Sequence, residues 1–192
     1  DIEKVRVHVT LMGGGFGRRL FSDFIPDAVE ISKKIRKPVK LLWTREVDMK
    51  HDYYRPASIH KLKGTLSKNN ELTSWQHRIT SPSISGQRSP ERFKDGRLDR
   101  SAVNGANNLP YKIPNILVDY VMSNTNVPVG WWRSVYNSQN AFANEVFIDE
   151  LAHRAGIDAL EFRMNMLDNS LRHKKALRLA AEKAGWGKSL PK

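Results

Sequence analysis

Gly13-Gly14-Gly15-Phe16-Gly17, followed by Arg18 and Arg19, is the segment best suited to chemistry. Glycines let a backbone pass close to a ligand, and a helix start beyond them offers N–H groups to an anion. The spacing is not a dinucleotide fingerprint, because the position of its last glycine is Arg18, and it is not a phosphate P-loop, because the loop runs on into Arg18-Arg19 rather than Gly-Lys-Ser/Thr. A turn that needs positive φ would explain the same glycines. Arg18 and Arg19 could clamp a phosphate or carboxylate, or be solvated turn residues. The second segment is Trp131-Trp132-Arg133, three residues after Pro128. Adjacent tryptophans outside regular structure line a pocket or fill a seam between domains. The six histidines show no paired helical metal spacing, and the single Glu150-x-x-His153 reads as a helix surface pair, since a di-iron bundle needs two such motifs. Glu46, Asp48 and Asp52 read as a solvated strand end.

The elements that must position these residues follow from hydrophobic periodicity. Val5, Val7, Val9 and Leu11 alternate with Arg6, His8 and Thr10, which predicts a strand with one buried face. The glycine loop follows, then a helix with Ser22 or Asp23 as cap, Pro26 in its first turn and an apolar stripe of Phe24, Ala28, Ile31 and Ile35. Pro38 stops it, and residues 39–44 read as a second, well-buried strand. Residues 58–80 predict a β-hairpin. His60, Leu62, Gly64 and Leu66 share a face of its first strand, the turn lies at 68–71, and Thr73, Trp75, His77 and Ile79 share a face of the return strand. Residues 113–122 predict a further strand. The stretch 138–155 reads as a helix buried on more than one face, ended by Gly156. Asp158 with Glu161 starts another helix, and 171–184 a third before Gly185. Residues 81–110 and 124–138 lack a period, and 81–110 is expected to be mobile. The fold class is α+β: a mixed sheet with a strand–glycine-loop–helix–strand unit, a β-hairpin and a C-terminal helical segment. Residues 1–127 form mainly its sheet part, and 128–192 the second loop and the helices.

Composition limits the chemistry further. The 192 residues include no cysteine, which excludes disulfides, thiolate zinc sites, iron–sulfur ligation and a cysteine nucleophile from this chain. Hydrophobic residues reach 40%, enough for a core, and no run of about 18 apolar residues encodes a membrane span. The net charge of +12 is spread along the chain rather than gathered on one arm, which argues against a nucleic-acid partner. Two other readings stay open on these grounds: a basic anion- or nucleic-acid-binding module without catalysis, and a structural domain whose glycine loop only turns the chain. Compartment is not legible. The abrupt opening at Asp1 on a strand pattern reads like an internal segment of something longer.

Two segments together carry a resemblance. Gly13-Gly14-Gly15-Phe16-Gly17 resembles the glycine loop of the xanthine oxidase family of molybdenum hydroxylases. Pro128-Val129-Gly130-Trp131-Trp132-Arg133-Ser134-Val135, with Ser138-Gln139-Asn140-Ala141-Phe142 and Phe147-Ile148-Asp149-Glu150-Leu151-Ala152 after it, resembles that family's later cofactor loop and helix. Tyr111-Lys112-Ile113-Pro114-Asn115 matches a landmark between them. The Gly-Phe-Gly-Arg-Arg and Trp-Trp-Arg-Ser variants look most like the isoquinoline 1-oxidoreductase β-subunit branch, which also contains aldehyde dehydrogenases. The resemblance implies a molybdenum–pterin cofactor, with a cytosine dinucleotide form among the options, bordered by Gly14, Gly15, Phe16, Gly17, Arg133, Ser134 and Gln139. It places the backbone of Phe16 and Arg133 against the metal's ligands, and Leu20, Trp132 and Val135 along a substrate pocket. It implies hydroxylation of an N-heterocycle or aldehyde with oxygen drawn from water. The remainder of a large subunit and a small iron–sulfur subunit would be its partners. Three departures bear on this. Arg18, Arg19 and Leu20 replace a Lys-Glu continuation, which puts a purine-like substrate in doubt. A substrate-facing arginine would fall at Ala102, with Arg100 two residues away. No Gly-Glu pair is present, so the family's general base lies outside this chain and the segment alone is expected to be inactive.

Overall fold

The computed structural model describes residues 2–189, so the extreme ends of the 1–192 span lie outside the described residues. The chain separates into two compact units, one of residues 1–55 with 127–135 and one of residues 56–126 with 136–192. Helices and a three-stranded mixed sheet make the class α+β, as expected from the sequence.

The second unit holds the sheet. β1 (Ile59–Leu66) pairs antiparallel with β2 (Leu72–Ser81), and β2 pairs parallel with β3 (Asn115–Met122), in the order β1-β2-β3. The hairpin closes where Ser67 N–H donates to Glu71 O at 2.8 Å, with Asn70 in the left-handed region at φ 61°. Alternation sets its faces. Trp75, His77 and Ile79 are buried, and Ile59, which shares the lysine face, is exposed. A parallel neighbour cannot follow through a tight turn. The crossover from β2 to β3 runs through 82–114, which takes in most of the stretch 81–110 expected to be mobile. It instead carries α3 (Ile84–Arg88) and two 3₁₀ turns (Pro90–Phe93 and Arg100–Val103), and it buries Ile84, Ala102, Val103 and Ala106 completely or nearly so. Ala102, the position matching a substrate-facing arginine, is one of these internal residues.

The helices α4 (Asn137–Ala155), α5 (Ala159–Met166) and α6 (Leu171–Ala184) end the chain. Asp158 accepts from the Leu160 and Glu161 N–H groups at the start of α5, and Gly156 and Gly185 take φ 68° at the ends of α4 and α6. Ile148, Leu151 and Ala152 of α4 join Leu72, Trp75, Phe162 and Met166 in the main core. A Cβ on Gly64 would lie 3.0 Å from Leu151, so that glycine sets the approach of α4 to β1. Burial of α4 is narrower than expected. Its inward residues are Asn140, Asn144, Ile148, Leu151 and Ala152, a single helical stripe, while Phe142 and Val146 are exposed. Two of the five are asparagines. Asn140 Nδ2 donates to Ala102 O and Asn104 O at 3.0 and 2.8 Å, and Asn144 Nδ2 to Gly105 O at 2.8 Å. The stripe is polar where it ties down the crossover and apolar where it meets the sheet. Beside it, Arg163 of α5 donates to Glu145 and Asp149, and burial together with Glu145 raises the Tyr111 phenol above its ordinary range.

His77 sits fully buried on β2, with His60 Nδ1 2.8 Å from its Nε2 and Ser58 Oγ 2.8 Å from His60 Nε2. Burial first, then the neighbouring His60, lowers the His77 pKa to about 4. An unfolded histidine takes up its proton near pH 6.5. The unfolded chain therefore binds the extra proton between these values, and stability falls as pH drops from about 6.5 and levels off near 4. At about 1.4 kcal/mol per unit, the expected loss is about 3 kcal/mol. Chemical denaturation at pH 7 and pH 4.5 checks it, and His77→Gln is expected to remove most of the slope.

In the first unit, the two strands expected around the glycine loop do not form. Residues 5–12 and 38–44 carry no strand assignment, and Val5, Val7, Val9 and Leu11 are exposed. A period-2 pattern states which face a strand would bury but supplies no hydrogen-bonding edge, and among the described residues none pairs with either segment. The helix between them is present as α1 (Phe24–Ile35), and residues 45–51, taken only as a strand end, form a second helix, α2 (Arg45–His51). Thr44 caps α2 by accepting from Val47 N–H at 3.4 Å. No helix among the described residues is long and apolar enough to cross a membrane.

Candidate cofactor-binding site

Three segments of the first unit converge: 14–21, 52–55 and 128–135. Their join is backbone on backbone. Gly17 has φ 99°, and a Cβ there would stand 1.8 Å from Trp131 O and 2.3 Å from Trp131 C. No side chain fits, so the glycine is required by space as well as by conformation. The two loops singled out in the sequence thus touch across more than 100 residues of chain, without an open cleft at this point. Above the contact, the Arg133 guanidinium lies over the Phe16 ring, 5.9 Å from its centroid.

Segment 52–55 supplies the wall that sequence reasoning missed. Tyr54 N–H donates to Pro128 O at 2.9 Å and Gly130 N–H to Tyr54 O at 3.0 Å, a parallel bridge between Tyr54 and Val129. Phe21 stacks on Tyr53 at 3.9 Å and meets Trp131 at 5.4 Å. Gly130 leaves room for this stack, because a Cβ there would come within 2.6 Å of Tyr53 Cβ. Trp132 Nε1 donates to Tyr53 O at 3.0 Å. The glycine of the second loop and the alternating aromatics near 21 and 53 were the available signals, but neither reveals pairing across 75 residues.

Arg18 is not an anion clamp. It grips Asp23 with both Nη atoms, at 2.8 and 3.0 Å, and Asp52 Oδ1 with Nε at 2.8 Å. Its guanidinium also lies over the Phe21 and Tyr53 rings. Partial burial opposes its charge, but the hydrogen bond to Asp23 and the fields of Asp52 and Asp23 hold its pKa above the ordinary value. Asp52, read from sequence as solvated, is thus an internal counter-ion.

Strain is concentrated here. Five non-glycine residues among those described have positive φ, and three of them lie in these loops: Phe16 at 48°, Ser134 at 66° and Val135 at 48°. For the β-branched Val135 that is a genuine outlier. Each such residue costs about 1–3 kcal/mol and persists only when its surroundings over-determine it. Val135 N–H closes a turn onto Trp132 O at 2.8 Å. Arg55 donates from Nη1 to Val135 O at 2.5 Å and from Nη2 to Arg133 O at 3.0 Å. Charge-assisted bonds of about 1.5–3 kcal/mol each match the strain in size.

The other expected site residues are placed as follows. Around Gly13 a Cβ would meet nothing within 4 Å, and at Gly15 only the side chains of Arg19 and Met12 approach. Gly13 therefore offers bare backbone, while the Phe16 ring covers Gly14, where a Cβ would come within 2.7 Å of it. Leu20 is exposed at the end of the 3₁₀ turn Arg18–Leu20, Trp132 is about half-exposed, and Val135 is half-buried. Gln139 belongs to α4 in the other unit, and both polar atoms of its amide are buried without a partner. An orphaned buried amide costs about 1–3 kcal/mol, which fits a group that hydrogen-bonds to a bound ligand. Among the described residues no cluster of three His, Cys, Asp or Glu could hold a metal. Exposed loop backbone at Gly13 and Gly15 suits an anionic organic cofactor that brings its own metal ligands.

Comparison with known proteins gives this geometry its family. The chain is 29% identical to the isoquinoline 1-oxidoreductase subunit beta of Brevundimonas diminuta, over 96% of this chain and 24% of that protein. It is 32% identical to a protein of Gluconacetobacter polyoxogenes named membrane-bound aldehyde dehydrogenase [pyrroloquinoline-quinone], over 98% of this chain and 27% of the relative. The chain thus spans about a quarter of the length of these curated relatives. Its fold is similar to that of quinoline 2-oxidoreductase from Pseudomonas putida 86, with a TM-score of 0.72 at 15% identity over 90% of this chain and 24% of that one. A second match is the aldehyde oxidoreductase from Desulfovibrio gigas, with a TM-score of 0.62 at 22% identity, covering 93% of this chain and 21% of that one. Residues 1–167, which include both loops and the hairpin, match the molybdopterin cofactor-binding domain, and the chain belongs to that family.

Proposed function

We propose that this chain is part of a molybdenum hydroxylase that oxidises an N-heterocycle or an aldehyde with water as the oxygen source. The observation that carries the reading is the backbone contact of Gly17 with Trp131, which joins the two loops that resemble the family's cofactor loops. Gly14, Gly15, Phe16 and Gly17 border one side of a molybdenum–pterin unit, and Arg133 and Ser134 border the other. The backbone of Phe16 and Arg133 lies nearest the metal's ligands. The Gln139 amide, without a protein partner, takes up a hydrogen bond from or to the cofactor. Bound, the cofactor supplies two-electron redox chemistry, which no side chain in this sequence can perform. Leu20, Trp132 and Val135 face the substrate, and the short or apolar side chains at 20 and 135 favour an uncharged heterocycle or aldehyde over a purine. The electrons leave to iron–sulfur clusters on a separate small subunit. A cytosine dinucleotide form of the pterin is part of the proposal. The name of the Gluconacetobacter relative specifies a quinone instead, and pterin analysis separates the two.

The chain alone is expected to be inactive and to hold no metal, because it supplies two loops of an assembled site and no Gly-Glu general base. Elemental analysis of the purified 192-residue chain checks this, and stoichiometric molybdenum there would contradict it. The reading as a whole predicts near-stoichiometric molybdenum and a pterin in the full-length protein. A full-length protein that contains neither would refute it.

A further inference from the structure

Arg55 was not legible as a site residue, yet it makes two long-range contacts to the second loop that no neighbour duplicates in kind. Its two Nη atoms donate to different carbonyls, Val135 O at 2.5 Å and Arg133 O at 3.0 Å, across about 80 positions of sequence. Its guanidinium carbon lies 5.8 Å from the Trp132 ring centroid, and Trp132 is itself anchored to Tyr53 O. The carbonyls it holds flank Ser134 and Val135, both at positive φ. A trans peptide is planar, with its C=O and N–H on opposite sides. Holding Arg133 O therefore turns Ser134 N–H away from the guanidinium. A loop relieved of this grip would relax toward negative φ and rotate those peptide planes. A planar fork presents two fixed N–H donors to the two carbonyls, whereas the three donors of an ammonium radiate from one freely rotating point and fix their direction less well.

We propose that Arg55 is a positioning residue that locks the strained Arg133–Val135 turn in the shape that receives the cofactor. This rests on the cofactor reading above. Arg55 holds the Arg133 and Val135 carbonyls and lies over Trp132, and it acts through the backbone it fixes.

The test uses the full-length protein with its native partners, as Arg55→Lys and Arg55→Met. Molybdenum and pterin are counted per folded subunit, and the paramagnetic resonance line shape of the one-electron-reduced metal is recorded. Removing an outer-sphere partner typically costs 10–100-fold in affinity, so Arg55→Met is expected to lower retained molybdenum about tenfold or more. Arg55→Lys, which keeps the charge but not the planar fork, is expected to retain an intermediate amount with an altered line shape. Near-ultraviolet circular dichroism of both is expected to match the unsubstituted protein. Unchanged content and line shape in both variants would overturn the proposal while leaving the cofactor reading intact. Misfolding of both would overturn it too, by making Arg55 a folding residue. An unsubstituted protein without molybdenum would overturn the cofactor reading and this inference with it.

Discussion

Gly17→Val in the full-length protein is expected to abolish cofactor retention. The added Cβ would stand 1.8 Å from Trp131 O, well inside any real contact, and the residue would have to hold φ 99° with a branched side chain. Overpacking of about 1–3 kcal/mol and backbone strain of about 1–3 kcal/mol both act at the join of the two loops. The loops can separate at that cost, because they are exposed and carry little core. The expected result is molybdenum content down more than about tenfold, a preorganised site being sensitive to displacements near 1 Å. The helices and sheet of the other unit stay folded. Arg19→Ala is the control. Arg19 lies over Phe24 at 5.9 Å, makes no backbone join, and is expected to reduce retention far less. Equal loss in both variants would detach the effect from the Gly17 contact.

Asn140→Leu is expected to produce a clear loss of stability in the unit that holds the sheet. The two side chains share a branched shape and the same number of heavy atoms, and leucine is the bulkier, so the change removes hydrogen bonds without opening a cavity. Asn140 is fully buried, and its Nδ2 serves Ala102 O and Asn104 O. The buried Ala102 carbonyl left without a donor costs about 1–3 kcal/mol, and the Asn104 carbonyl, on an exposed residue that water can reach, adds less. Leucine would recover some of this, since the Asn140 Oδ1 it replaces is itself unpaired. Ile148→Val, eight residues along the same stripe, should cost only about 0.5–1.5 kcal/mol. Denaturant unfolding at pH 7 distinguishes the two. Amide exchange then locates the damage, which is expected to spread into residues 100–106. If Asn140→Leu proves neutral, the crossover is not held by α4.

The same asparagines show where the sequence is legible. The hairpin at 58–80 follows from alternation because period 2 on two short strands admits few other structures. The helices near 138–155, 158–166 and 171–184 follow from period and caps. Asn140 and Asn144 instead read as polar interruptions of an apolar helix, since nothing local announces that they face carbonyls almost 40 residues away. The segments 5–11 and 39–44 keep a strand pattern without a strand, because pattern specifies a face and pairing needs a partner. At the site, Gly13–Gly17 and Trp131–Arg133 stood out by composition, and their adjacency was expected from the resemblance. Segment 52–55 did not stand out. Asp52, Tyr53 and Arg55 look like ordinary polar loop residues, and their roles depend on contacts with residues 18, 21 and 133–135. Arg18 was misread for the same reason: its two carboxylate partners are five and 34 positions away.

The central claim is that the loops at 14–17 and 131–134 jointly border a molybdenum–pterin unit. Anomalous diffraction at the molybdenum edge from crystals of the full-length protein tests it most directly. The account predicts one metal peak beside the junction of Gly15–Gly17 with Arg133–Ser134. A peak elsewhere in the protein, with these loops packed only against each other, would contradict it.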